Sequence, residues 1–102
     1  MGTINVKYQR GGRRYSDRSF SLKETQETLF GDLLNKEGIT SGLGNRFEIY
    51  VRGEDGKNEI SAHNCAKEKL ADVLRAAAKN DEIMDKTFII DCTAEHRGAH
   101  IQ

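Results

Sequence analysis

All three histidines and both cysteines of the chain lie between positions 63 and 100. His63 and Cys65 form one group, and Cys92, His96 and His100 form another. Zinc binds thiolates and imidazoles in tetrahedral sets of four, and all of these residues except His63 make up one candidate ligand set. Their spacing matches no standard zinc finger or ribbon, and buried cysteines that pack as small apolar residues are common. We therefore expect neither a metal ion nor a cofactor.

A second chemical interpretation concerns Cys65 alone. A thiol near the start of a helix can have a lowered pKa and act as a nucleophile. His63 lies two residues before it, and Asn64 is a predicted helix cap. No other residues suggest an oxyanion hole or a substrate pocket, and catalysis needs that supporting geometry. We predict that the chain is not an enzyme.

Basic and aromatic side chains gather around a predicted turn at Gly11-Gly12. This set, which we call the arginine cluster, consists of Lys7, Tyr8, Arg10, Arg13, Arg14, Tyr15 and Arg18. Guanidinium groups suit phosphate and carboxylate, and a two-stranded ribbon with aromatic residues can follow a nucleic-acid backbone. We predict that the arginine cluster is the binding surface. The alternative is that its charges protect a sheet edge from association.

The composition limits the classes of partner. Sixteen basic residues balance sixteen acidic ones, so no net charge attracts the chain to nucleic acid or to anionic lipid. No apolar run approaches the roughly 20 residues of a membrane helix. Two cysteines without an export signal are typical of reduced thiols, which predicts a cytoplasmic location. The length predicts one domain over residues 1–102, with a flexible tail at 94–102.

Alternating apolar and polar residues predict five strands. They cover residues 3–9, 15–22, 46–54, 57–62 and 87–92. Asp55-Gly56 predicts a two-residue turn between the third and fourth strands. That turn places the opposite charges of Arg52 and Glu59 across from each other, which supports the register.

The register of the first hairpin stays open at this point. A three-residue loop around Gly11-Gly12 sets Ile4 opposite Phe20. A five-residue loop sets Val6 opposite Phe20 instead. Both arrangements pair apolar side chains, so the pattern does not choose between them.

Two helices are predicted between the strands. Ser21 and Glu24 form a capping-box pattern at the start of the first helix. Gly38 supplies a left-handed end to the same helix. Asn64 is predicted to cap the second helix and Asn80 to end it.

The resulting element order is ββαββαβ in an α+β domain. If the last strand inserts beside the first, the topology resembles the β-grasp arrangement of ubiquitin-like domains, a mixed sheet packed on helices. The alternative is a ferredoxin-like βαββαβ unit over residues 15–92 with an added N-terminal strand at 3–9. The tight Gly11-Gly12 hairpin favours the first, because the first strand of a ferredoxin-like unit already has partners on both sides.

These features predict a small, non-enzymatic binding module that acts through protein–protein interaction. It would bind through an open sheet face and the arginine cluster. Short domains of this kind often serve as accessory or inhibitory proteins, including those encoded by phages and mobile elements. One alternative is nucleic-acid binding through the arginine-rich hairpin, and another is a zinc-stabilised domain. We expect no membrane partner.

Overall fold

Five strands pair into one mixed sheet in the computed structural model, which describes residues 2–43, 47–56 and 58–94. The strands are β1 (Ile4–Arg10), β2 (Arg13–Phe20), β3 (Glu48–Gly53), β4 (Glu59–Ser61) and β5 (Thr87–Thr93). Their order is β2-β1-β5-β3-β4, with β1 and β5 parallel and every other neighbouring pair antiparallel. Together with the helices below, this confirms the predicted α+β class.

Strand β2 lies at an edge of the sheet, and this excludes the ferredoxin-like alternative. That arrangement needs a partner on each side of β2, whereas among the described strands β2 pairs with β1 alone. Strand β5 occupies the centre, between β1 and β3. The ferredoxin-like prediction is therefore wrong.

Helices in the described part of the chain are α1 (Leu22–Glu27), α2 (Phe30–Glu37) and α3 (Leu70–Ala77). The predicted capping box at α1 is confirmed, since the Ser21 hydroxyl accepts a hydrogen bond from the Glu24 amide and the Glu24 carboxylate accepts one from the Ser21 amide. Gly38 ends α2 in the left-handed conformation, with φ of 68°. None of the helices within the described residues is long and apolar enough to cross a membrane.

The single first helix that the pattern predicts is interrupted at Thr28 and Leu29, whose backbones are extended. Leu29 forms an isolated antiparallel bridge with Lys69. The Thr28 carbonyl accepts a hydrogen bond of 2.8 Å from the Leu70 amide. Pairing with a distant segment thus overrides the local helical propensity and divides one predicted helix into two.

The second predicted helix starts later than expected. Asn64 does not cap it, because the chain makes turns and bends over residues 63–68 before α3 begins. In this segment the Ala66 carbonyl accepts a hydrogen bond of 2.9 Å from the Gly31 amide of α2. A Cβ added to Gly31 would lie 2.8 Å from the Cβ of Ala66, so glycine permits this close approach. Asn80 has the predicted left-handed conformation, with φ of 65°, but α3 already ends at Ala77.

The core lies on one face of the sheet, between the strands and the helices. Strand and helix residues of this core include Ile4, Val6, Tyr8, Ile49, Val51, Phe88, Ile90, Phe30, Leu70, Val73 and Leu74. Because successive side chains of a strand point to opposite faces, the intervening residues lie on the other side, which we call the open face. The open face carries Lys7, Gln9, Tyr50, Arg52, Ile89 and Asp91.

The turn of the first hairpin consists of Gly11 and Gly12, which are left-handed with φ of 60° and 82°. At the base of the strands Ile4 faces Phe20, as in the three-residue alternative. A β-bulge at Tyr15 then shifts the register near the turn. Because Tyr15 is the extra residue of the bulge, Arg10 pairs with Arg13 and the loop contains only Gly11 and Gly12. The predicted loop lengths of three and five residues are therefore both wrong.

The second hairpin has the predicted register, with Arg52 opposite Glu59 and Val51 opposite Ile60. Arg52 and Glu59 form an ion pair of 3.3 Å. Gly56 is left-handed, with φ of 74°, but Asp55 is not. The Gly56 amide donates a hydrogen bond of 3.0 Å to the Gly53 carbonyl, so the turn begins at Gly53 and the predicted two-residue turn is wrong. The register of this hairpin could be predicted from the local sequence, because the same pairing places opposite charges and apolar side chains across from each other.

Candidate functional site

Tyr8 of the arginine cluster is fully buried in the core. Burial, with a contribution from Glu37, raises the pKa of its hydroxyl well above the ordinary value. Among the described residues, neither this hydroxyl nor that of Ser16, the cross-strand neighbour, has a hydrogen-bond partner. Tyr8 therefore lies away from the surface on which the sequence analysis placed it, since it shares the core face with Ile4 and Val6.

Two guanidinium groups of the arginine cluster form ion pairs with carboxylates of the chain. Arg18 Nη1 lies 2.5 Å from Glu37 Oε2, and the exposed fractions of the two side chains are 37% and 11%. Arg14 Nη2 lies 2.6 Å from Asp17 Oδ2, but this arginine side chain is 79% exposed. The first pair connects the hairpin to the end of α2, whereas the second stays within β2.

Two further members of the cluster contact the chain that follows α2. Arg10 Nη2 donates a hydrogen bond of 2.8 Å to the Ser41 carbonyl. Its guanidinium carbon also lies 5.7 Å from the centre of the Tyr15 ring, a cation–π distance. The Tyr15 hydroxyl is 3.5 Å from the Gly38 carbonyl. Together with the Arg18 pair, these contacts hold the first hairpin against the segment from Glu37 to Ser41.

The remaining two members lie at the surface. Lys7 Nζ lies 2.5 Å from Glu54 Oε2, and both side chains are about half exposed. Arg13 is exposed next to the turn. Within the described residues it is the arginine of the cluster without a carboxylate or carbonyl partner. The predicted cluster is thus mostly engaged by the protein itself.

Both thiols are held in their neutral form. Burial raises the pKa of Cys65 to about 11. Burial likewise raises the pKa of Cys92 to about 12. The interpretation of Cys65 as a nucleophile with a lowered pKa is therefore wrong. The residue lies several positions before the first residue of α3, so no helix N-terminus is there to stabilise a thiolate. His63 packs edge-on against Phe47, with ring centres 5.5 Å apart.

The candidate zinc ligands, for which no metal is expected, lie in different environments. Cys92 is fully buried in the core, while Cys65 is half-buried and packs against the core from outside. His96 and His100 lie outside the described residues, as does the predicted tail from 95 onward. In the part of the chain that the structure describes, no three His, Cys, Asp or Glu side chains are grouped as metal ligands would be.

The centre of the open face carries two residues that sequence reasoning missed. Asp91 is only 2% exposed, and its Oδ1 accepts a hydrogen bond of 3.2 Å from the Gly12 amide. Its neighbours in register are Gln9 on β1 and Tyr50 on β3. Ile89 is 9% exposed yet does not belong to the core cluster. The period of two along β5 was the signal that could have placed both on this face.

Comparison with known protein families, with curated proteins and with solved structures finds no match for the chain.

Proposed function

We propose that the chain is a small, non-enzymatic module that binds a protein partner through the open face of its sheet. The observation that carries this proposal is the uneven covering of the two faces. Side chains of all three described helices contribute to the burial of one face, while Ile89 and Asp91 lie on the other, outside the core cluster. The centre of this face combines the apolar Ile89 with the buried carboxylate of Asp91, and a desolvated centre within a polar rim is the usual anatomy of a protein–protein interface.

The polar rim of the open face is already ordered by the chain. Arg52 lies between the Glu59 carboxylate at 3.3 Å and the Gln9 side-chain carbonyl at 3.5 Å. Tyr50 is half-buried beside it on the same strand. Arginine and tyrosine are enriched in interfaces, and side chains that are held before binding lose less entropy on association.

The proposed fold is the β-grasp arrangement of ubiquitin-like domains. It is supported by the strand order β2-β1-β5-β3-β4, in which two hairpins flank a central last strand parallel to the first. A fold does not determine a function, so the binding role rests on the open face and not on this likeness. We retain the role of an accessory or inhibitory protein as part of the proposal.

Nucleic-acid binding by the arginine cluster has less support. A phosphate would have to displace the carboxylate partners of Arg14 and Arg18, or the carbonyl partner of Arg10. A salt series with generic DNA and RNA tests this alternative. Binding that weakens steeply with salt and disappears in an Arg13→Glu/Arg14→Glu variant would favour it. No binding at about 50 mM salt would remove it.

A photo-crosslinking experiment tests the open face directly. A benzophenone amino acid replaces Tyr50 on the open face, Tyr15 on the first hairpin, or Lys23 on α1, and each protein is irradiated in host lysate. We expect one partner to be captured from position 50 and not from position 23. Binding of that purified partner should be lost in Lys7→Glu and retained in Lys23→Glu, which is the matched charge reversal. Capture from positions 15 or 23 alone would contradict the proposal.

A further inference from the structure

The turn of the second hairpin contains Asp55-Gly56, the only Asp-Gly sequence of a chain that has no Asn-Gly sequence. An aspartate side chain can react with the amide nitrogen of the residue that follows it, which gives a five-membered succinimide ring. A following glycine favours this reaction, because it has no Cβ to hinder the approach of its nitrogen to the carboxyl carbon. The turn is therefore a candidate for covalent modification.

Both reacting groups of this turn lie against Gly53. The Gly56 amide donates a hydrogen bond of 3.0 Å to the Gly53 carbonyl. A Cβ added to Gly53 would lie 3.1 Å from Asp55 Oδ1 and 3.7 Å from the carboxyl carbon, so the Asp55 side chain folds back over the turn. Groups that are held close together react faster than groups that must first meet.

The turn is also open to water, which takes part in the reaction. Asp55 and Gly56 are both exposed, and a Cβ added to Gly56 would meet nothing within 4 Å. The hydrogen bond of the Gly56 amide closes a single turn at the surface, and hydrogen bonds of this kind open at a low cost in free energy. The amide nitrogen is available for reaction each time the turn opens.

Four other aspartates of the described residues lie in strands or helices. There the regular backbone conformation keeps the following amide nitrogen out of line with the carboxyl carbon, so ring closure is hindered. These residues are Asp17, Asp32, Asp72 and Asp91.

Asp81 and Asp85 lie in the connection after α3, but Glu82 and Lys86 follow them and have long side chains that hinder ring closure. The Glu82 amide also donates a hydrogen bond of 2.8 Å to Asp81 Oδ1. This bond and the ion pair with Lys86 lower the pKa of Asp81. Ring closure needs a protonated carboxyl group, because the departing oxygen leaves as water, so an aspartate that stays ionised is less reactive.

We propose that Asp55-Gly56 is a site of spontaneous modification at which Asp55 becomes isoaspartate. The Gly56 nitrogen gives up its proton and bonds to the carboxyl carbon of Asp55, and one carboxyl oxygen leaves as water. A water molecule then adds to the main-chain carbonyl carbon of Asp55 in the ring and breaks its bond to nitrogen. The main chain now passes through Cβ of this residue, so the turn gains one main-chain carbon while the mass stays unchanged. The inference does not depend on the proposed binding function.

Ageing of the purified chain in warm neutral buffer tests the inference. Methyl transfer from labelled S-adenosylmethionine by an isoaspartyl methyltransferase measures the amount of isoaspartate, and electron-transfer fragmentation of the peptides locates it. We expect isoaspartate to accumulate with time at position 55 and to stay undetectable at Asp17 and Asp72. Asp55→Glu should abolish the signal, because glutamate keeps the charge but would have to close a less favourable six-membered ring.

Asp72→Glu is the control variant, because Asp72 is an exposed carboxylate of α3, and it should leave the signal unchanged. A synthetic peptide of residues 50–60 is the control for the fold, and it should also form isoaspartate. Isoaspartate in the peptide but not in the chain would overturn the inference, since the folded turn would then protect Asp55. Its formation mainly at another aspartate, or in neither the peptide nor the chain, would overturn it as well.

Discussion

The two hairpins of the sheet are built alike but direct their charges differently. Each closes through a tight turn with left-handed glycine, at Gly11 and Gly12 in one and at Gly56 in the other. In the first hairpin, Arg10 and Arg18 contact the segment after α2. In the second, carboxylates of the turn line a groove. A charged hairpin can thus be held by contacts within the fold or line a groove at the surface.

The difference lies in what each hairpin faces. The first faces the end of α2, which offers a carboxylate at Glu37 and a carbonyl at Ser41. The second faces the end of α3, where the described lining adds one more carboxylate, Asp81, and one ammonium group, Lys86. Charges are paired in both places, but the Glu37 carboxylate is 11% exposed, whereas Glu54 and Asp81 are paired with Lys7 and Lys86 in the solvent.

The largest effect should come from the ion pair that connects the first hairpin to α2. Arg18→Met leaves Glu37, which is 11% exposed, without its partner. We expect the free energy of unfolding to fall by about 2 kcal/mol. Arg14→Met, whose pair is exposed, should change it by less than about 0.5 kcal/mol. Urea unfolding followed by circular dichroism measures both free energies. Equal losses would contradict the expectation that the ion pair of Arg18 stabilises the fold more than that of Arg14.

Replacing the turn glycine with alanine should lower the free energy of unfolding equally in the two hairpins. A Cβ added to Gly12 or Gly56 meets nothing within 4 Å, so each alanine variant would suffer only from its positive φ. We expect a loss of about 1 kcal/mol for each. Unfolding of the two variants side by side gives the comparison. A much larger loss at Gly12 would show that its hydrogen bond to Asp91 is strained by the substitution.

The Tyr8 hydroxyl of the first hairpin should not stabilise the fold. Tyr8→Phe removes a buried group that lacks a partner within the described residues, so stability should stay the same or rise by up to about 1 kcal/mol. Thr25→Val is the matched control, because the buried Thr25 hydroxyl donates to the Leu22 carbonyl at 2.7 Å. That variant should lose about 1 kcal/mol. A loss for Tyr8→Phe as large as that for Thr25→Val would indicate a bound partner at Tyr8.

The smallest effect concerns acid and Asp81, which follows α3 and faces the second hairpin across a groove. Because the pKa of Asp81 is lowered in the folded chain, its contribution is present above the ordinary value of 3.8 and is lost as the pH falls through the lower folded value. The melting temperature of the wild type should therefore fall slightly more between pH 5 and pH 2 than that of Asp81→Asn. Asp72→Asn serves as the exposed control. Parallel curves for the wild type and Asp81→Asn would contradict the expectation.

Short-range features of this fold could be predicted from the sequence. The capping box at Ser21, the left-handed Gly38 and the register of the Asp55-Gly56 hairpin depend on residues close together in the chain. The break at Thr28 could not, because it depends on backbone pairing with the segment before α3.

The same limit applies to the candidate surface. The arginine cluster could be recognised from composition, but the partners of Arg10 and Arg18 lie in a different element and become neighbours only in the folded chain. The predicted binding role of the cluster stays a prediction. Asp91 and Ile89 were hidden in an apolar stretch, although strand alternation alone assigns them to the face opposite Ile90.

The starts of α2 and α3 supply each other's missing hydrogen bonds. The Phe30 amide donates to the Glu68 carbonyl and the Leu70 amide donates to the Thr28 carbonyl, each at 2.8 Å. No side chain of the described residues caps either helix. Each helix thus depends on the other for its first turn, so the two should nucleate together and unravel together as one cooperative unit.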